Sequence, residues 1–135
     1  MKILIIHGPN MNLLGLKSAR QGINTTLDKI NRHIRKFVRD KDIELKIVQS
    51  HNENKIVSYL HRNRNKFDGV ILTPGVWTNT GYLLEETLLL INLKFSSIYF
   101  DKTLVGKLLN GKYKVIQSNY YLAFEEAILH LKNEQ

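Results

Sequence analysis

At 135 residues the chain has the length of one domain, read as 1–135, and can build a hydrophobic core without disulfide or metal staples. It carries a formal charge of +8, from 20 Lys and Arg against 12 Asp and Glu, while 43% hydrophobic and 24% charged residues are ordinary globular values that disfavour disorder. The absence of cysteine removes thiol nucleophiles, disulfides and cysteine zinc sites and points to a cytoplasmic protein; the apolar run Ile3–Ile6 is too short for a signal peptide or a membrane span.

In chain order, Ile3–Ile6 reads as a strand covered on both faces, because it is continuously apolar rather than alternating. Gly8–Asn24 shows no clear periodicity and reads as a long loop of the kind that serves as a lid or binding loop. Leu27, Ile30, Ile34, Phe37 and Val38 lie at helical spacing over Leu27–Val38, with Asn24, Thr25 or Thr26 available as the cap. Ile43–Val48 is a second strand. Ile56, Tyr59 and Leu60 form a short helical stripe before the polar stretch His61–Lys66, and Gly69–Leu72 is a third strand. A helix over Thr80–Leu93, strands at Ser97–Phe100 and Tyr113–Ile116, and a helix over Tyr120–Leu131 complete the series.

This alternation predicts an open α/β fold with a parallel sheet and right-handed crossovers. Ligands in such folds bind beyond the carboxyl ends of the strands, here Gly8–Asn24, Gln49–Asn54, Thr73–Thr80 and Asp101–Lys112. Two of these segments carry recognisable chemistry. His7-Gly8-Pro9-Asn10-Met11-Asn12 combines turn residues with two asparagines able to donate and accept, and Thr73-Pro74-Gly75-Val76-Trp77-Thr78-Asn79-Thr80 joins a strand to a helix through hydroxyl and amide side chains. As plain structure, both are turns with their own caps. Of the five histidines, only His7 and His51 sit at strand ends, and neither has a triad, a paired carboxylate or helical zinc spacing. Glu85 and Glu86 are adjacent in a helix, so they diverge and read as surface or packing residues rather than a dyad.

Taken together, Gly8-Pro9-Asn10-Met11-Asn12-Leu13-Leu14-Gly15, Thr25-Thr26-Leu27, Gln49-Ser50 with Glu53, Asp68-Gly69, Pro74-Gly75 with Thr78 and Thr80, and Tyr121-Leu122-Ala123-Phe124-Glu125 resemble type II 3-dehydroquinate dehydratase from residue 1 to about 131. The resemblance implies a flavodoxin-like three-layer fold with a five-stranded parallel sheet, no cofactor and no metal. It also implies self-association as trimers that assemble into a dodecamer, and the shikimate-pathway loss of water from 3-dehydroquinate through an enolate. In that family a tyrosinate removes the proton, an arginine five residues earlier lowers the tyrosine's pKa, and a histidine protonates the leaving hydroxyl.

Carried over position by position, the base falls on Gly22, the arginine on Lys17 and the acid on Asp101. A substrate-binding asparagine becomes Thr73 and a histidine becomes Asn79, whereas Asn12 is retained. Glycine cannot act as a base, lysine lacks the guanidinium fork, and an aspartate of ordinary pKa is ionised at neutral pH. The expectation is therefore a dehydroquinase-like protein that is catalytically impaired or inactive. Its candidate ligand-binding residues are Asn12, Lys17, Thr73, Asn79, Asp101, Lys102 and Thr103, and its ligand a small anionic molecule. A functional but divergent dehydratase is the alternative reading.

A third reading starts from the charge. Lys29, Arg32, Arg35, Lys36, Arg39, Lys41 and Lys46 crowd the first long helix and second strand, and Lys55, Arg62, Arg64 and Lys66 the next helix. The plain interpretation is a solvated helix face; the functional one is a nucleic-acid or other polyanion surface, resting on electrostatics alone because Tyr59 and Phe67 read as core-facing.

Overall fold

β1 (Lys2–His7) is buried along its length after the first residue, and its side chains divide between two cores. Ile3 and Ile5 join Ile30, Ile34, Ile71, Phe124 and Ile128 on one face of the sheet, while Leu4 and Ile6 join Leu60, Val70, Leu72, Leu84 and Leu88 on the other. That division is the two-residue period of a strand sandwiched between helical layers, and it explains a continuous apolar run in the sequence. The computed structural model describes residues 1–134.

The sheet has five parallel strands in the order β2-β1-β3-β4-β5, with β2 at Glu44–Gln49, β3 at Gly69–Thr73, β4 at Phe95–Tyr99 and β5 at Tyr113–Ile116. The predicted flavodoxin-like α/β architecture is therefore present. The reversal of strand order between β1 and β3 opens the crevice where ligands bind in such sheets. The helices are α1 (Leu14–Arg20), α2 (Leu27–Phe37), α3 (Glu53–Asn63), α4 (Trp77–Thr80), α5 (Tyr82–Leu90) and α6 (Tyr120–Asn133). Among the described residues no helix is long and apolar enough to cross a membrane.

Local chemistry sets the helix starts. Thr26 Oγ1 accepts from Lys29 N at 3.2 Å to cap α2, Asn52 Oδ1 accepts from Lys55 N at 3.1 Å to cap α3, and Asn119 Oδ1 accepts from Tyr121 N and Leu122 N, both at 3.0 Å, to cap α6. α5 lacks a side-chain cap of its own, and Glu53 from α3 accepts from its Leu84 N at 2.9 Å instead.

Three expectations are corrected. Gly8–Asn24 is not an irregular loop: a 3₁₀ turn at Met11–Leu13 leads directly into α1. Its buried positions, Met11, Leu14 and Ser18, do follow helical spacing, but the third is polar and hid the pattern. The fourth strand begins at Phe95 rather than Ser97 and ends at Tyr99, because buried Ser96 and Ser97 satisfy their hydroxyls on Tyr113 O and Leu109 O and so pass as core residues. The helix expected over Thr80–Leu93 is the shorter α5, Tyr82–Leu90, separated from α4 by Gly81, which packs tightly on the Trp77 carbonyl.

Candidate functional site

At the carboxyl ends of β1, β3 and β4 lies a small cavity of about 120 Å³. Its walls are largely apolar, from Met11, Leu14, Ile98, Phe100 and Leu104, and its polar contributions come from Asn10, Lys17, Thr73 and Tyr99. The floor depends on a close backbone approach. Gly8 N donates to Thr73 O at 3.0 Å and to Thr73 Oγ1 at 3.2 Å, and any side chain at Gly8 would collide with that carbonyl. This contact fixes β1 and β3 where their loops diverge, and it occupies the Thr73 hydroxyl.

The segment that roofs the cavity is tied down at several points. Ser18 is fully buried; its hydroxyl donates to Thr25 O at 2.6 Å and accepts from Thr25 N at 3.1 Å. Beyond α1, Gly22 N donates to Ala19 O at 3.1 Å and Ile23 N donates to Ser18 O at 2.8 Å. These two bonds are a Schellman termination, which places Gly22 at the position that takes the left-handed conformation, and its φ is +75°. Tyr120 OH then donates to Gln21 Oε1 at 2.7 Å, anchoring the end of α1 on the start of α6. Gly22 is thus a helix terminator in the structure. It is exposed, and a Cβ built on it meets nothing within 4 Å.

Asp101 is exposed and is the cap of a 3₁₀ turn at Lys102–Leu104: its Oδ1 accepts from Thr103 N at 3.0 Å. That hydrogen bond, helped by the charges of Lys102 and Lys17, holds its carboxyl below the ordinary aspartate value. Tyr99 is buried at the end of β4. Its hydroxyl donates to Asn110 Oδ1 at 3.1 Å and lies 3.2 Å from Thr78 Oγ1, and burial pushes its pKa above the ordinary tyrosine value, only partly offset by the Thr78 contact.

Of the candidate residues, Lys17 and Thr73 line the cavity. Asn12 is exposed, with Gln49 Nε2 donating to its Oδ1 at 3.4 Å; Asn79 is exposed against the backbone of Gly106; Lys102 and Thr103 are exposed on the 3₁₀ turn. Tyr99 is the polar wall residue that sequence reasoning passed over. Its signal was a lone tyrosine closing the strand Phe95-Ser96-Ser97-Ile98-Tyr99, two residues before Asp101.

His7, His33, His130 and Glu85 make structural contacts. His7 is fully buried, donates Nε2–H to Asn31 Oδ1 at 2.8 Å and packs edge-on to Phe124; burial lowers its pKa to about 4, against the opposing effect of Asn31. His33 pairs with Glu125 at 2.7 Å, and His130 stacks on Tyr113. Glu85 Oε1 accepts from Leu109 N at 3.0 Å, which supports Leu109 in its left-handed conformation at φ +60°. Among the described residues no three His, Asp or Glu side chains gather as a metal site.

Residues 1–103 match the family model described as Dehydroquinase class II. The 3-dehydroquinate dehydratase of Pelotomaculum thermopropionicum is 33% identical over 101 residues, covering 75% of this chain and 70% of its own. That of Halothermothrix orenii is 26% identical over 140 residues, covering 96% and 95%. Among solved structures, the type II dehydroquinase of Butyrivibrio crossotus superposes with a TM-score of 0.86 at 23% identity over 97% of both chains. A 3-dehydroquinate dehydratase-like protein from Bifidobacterium longum superposes with a TM-score of 0.65 at 16% identity, covering 98% of both chains. By sequence match and by fold, this chain belongs to the class II dehydroquinase family.

Proposed function

We propose that this member of the family is catalytically impaired or inactive as a 3-dehydroquinate dehydratase and keeps the scaffold for binding or assembly. The observation that carries this reading is Gly22: at the aligned base position stands the left-handed terminator of a helix, and Gly8–Asn24 holds no tyrosine. Asp101, at the aligned acid position, is a capping carboxylate whose lowered pKa keeps it ionised, so it has no proton to give at neutral pH. Tyr99 is shifted the wrong way for a base. The cavity, at about 120 Å³, is also smaller than the roughly 300–1,000 Å³ of typical ligand pockets.

The alternative, a divergent dehydratase, draws its support from Lys17 and Tyr99 sharing one cavity. Steady-state formation of 3-dehydroshikimate from 3-dehydroquinate decides between them, with the Butyrivibrio crossotus enzyme as reference. The proposed reading expects a kcat/KM lower by about 10⁴-fold or more, since base and acid each contribute about 10²–10⁴-fold. Turnover within ten-fold of the reference overturns it.

Within the same reading, a small anionic molecule is the ligand class for the remnant pocket: Lys17 supplies the cation, and Asn12, Asn79, Lys102 and Thr103 are the proposed further contacts. Self-association is supported by α5, whose Tyr82, Leu83, Leu89 and Leu90 are exposed, leaving a helix apolar on its outer face as well as its inner one.

A further inference from the structure

We propose that the groove between β2 and α3 binds single-stranded nucleic acid, a role separate from the remnant pocket. β2 is the edge of the sheet, and its face toward α3 turns from apolar to charged: Lys46 lies in register with buried Leu4 but is itself exposed. α3 does not close over this edge. Two grooves run between them, one of about 430 Å³ holding Lys46 and Lys66 and one of about 550 Å³ holding Lys55 and Arg62, and they meet at Tyr59, which lines both. The only acidic residue lining either groove is Glu44, already paired with Lys2 at 3.4 Å. No lining residue is shared with the cavity over β1, β3 and β4.

Aromatic side chains complete the surface. Tyr59 and Phe67 form a tilted pair with ring centroids 6.4 Å apart; both are only half-buried, and both line the groove that holds Lys46 and Lys66. Both pack against the core of Leu4, Leu60 and Val70, as expected of core-facing residues, and both also line the groove. Cations flanking core-packed rings that line the groove match the chemistry of a single strand, whose phosphates meet the charges while its bases stack. An acidic polypeptide would satisfy the lysines and could pair with the open edge of β2, but it would leave the rings without a role.

The test is fluorescence anisotropy of the full chain with labelled oligo-dT and oligo-rU at low salt, followed by a salt titration. Binding is expected, with log affinity falling linearly in log salt at about −0.7 per contacted phosphate. The pair Lys46→Gln and Lys66→Gln is expected to flatten that slope by about 1.4 in total, whereas Lys107→Gln with Lys114→Gln leaves it unchanged. Tyr59→Leu is expected to weaken binding roughly ten-fold or more at unchanged slope, and Tyr59→Trp to retain it. Should Tyr59→Leu fail to fold, the lysine variants and Tyr59→Trp decide. No binding at low salt, or equal losses from the Lys107 and Lys114 variants, overturns the proposal. So does polyglutamate binding lost on Lys46→Gln but indifferent to Tyr59→Leu, which assigns the groove to an acidic polypeptide.

Discussion

The hydroxyl of Ser18 both donates to Thr25 O at 2.6 Å and accepts from Thr25 N at 3.1 Å, so one buried side chain ties α1 to the start of α2. The segment so tied is a helix with a fixed end. Ser18→Ala leaves both backbone groups of Thr25 buried without that partner, a loss of about 1–3 kcal/mol. Urea unfolding is expected to register that loss, and hydrogen exchange is expected to speed up first at Ile23 and Thr25.

Restoring tyrosine at position 22 is expected to damage the fold without rescuing the chemistry. Gly22 has φ +75°, and its surroundings are open, so the cost of Gly22→Tyr is backbone strain alone, about 1–2 kcal/mol. The melting temperature is expected to fall while 3-dehydroshikimate formation stays at the wild-type level. A rise of ten-fold or more in turnover contradicts this expectation.

Gly8→Ala tests the floor of the cavity. The added methyl meets Thr73 O, a backbone atom inside a central strand that cannot step aside. Overpacking of this kind costs about 1–3 kcal/mol, and the lost Gly8–Thr73 hydrogen bonds add to it. Denaturant midpoints are expected to show a larger loss than for Gly22→Ala, where only φ is unfavourable.

Acid sensitivity is expected to run through His7. The native side chain takes up a proton only near pH 4, because burial opposes its charge, whereas the unfolded chain does so near 6.5. The unfolded state therefore binds more protons between those values. The contribution of His7 is complete above about pH 6.5 and is lost as pH falls toward 4, reaching about 2–3 kcal/mol by pH 4.5. His7→Gln is expected to lower stability at pH 7.5 yet flatten its decline between pH 6.5 and 4.5, as read by urea unfolding at each pH.

Much of the fold was legible because its signals are local. The unbroken Ile3-Leu4-Ile5-Ile6 run announced a strand covered on both sides, and the caps at Thr26 and Asn119 stand where side-chain oxygens precede apolar periodicity. The elements that were misread are those whose polar residues are buried against partners distant in sequence: Ser18 on Thr25 within the supposed loop, and Ser96 and Ser97 on carbonyls of the following segment.

By itself, the sequence determined the alternation of strands and helices, the family, and the residue types that stand at Gly22 and Asp101. Each depends on periodicity or identity along the chain. Only the tertiary structure decided what those residues do. It made Gly22 the end of a helix, turned Asp101 into an ionised cap, drew Tyr99 and Lys17 into one small cavity, and left Tyr59 and Phe67 beside Lys46 on an open edge. The physical reason is that burial, backbone conformation and the meeting of side chains far apart in sequence come from packing, which a linear pattern does not contain.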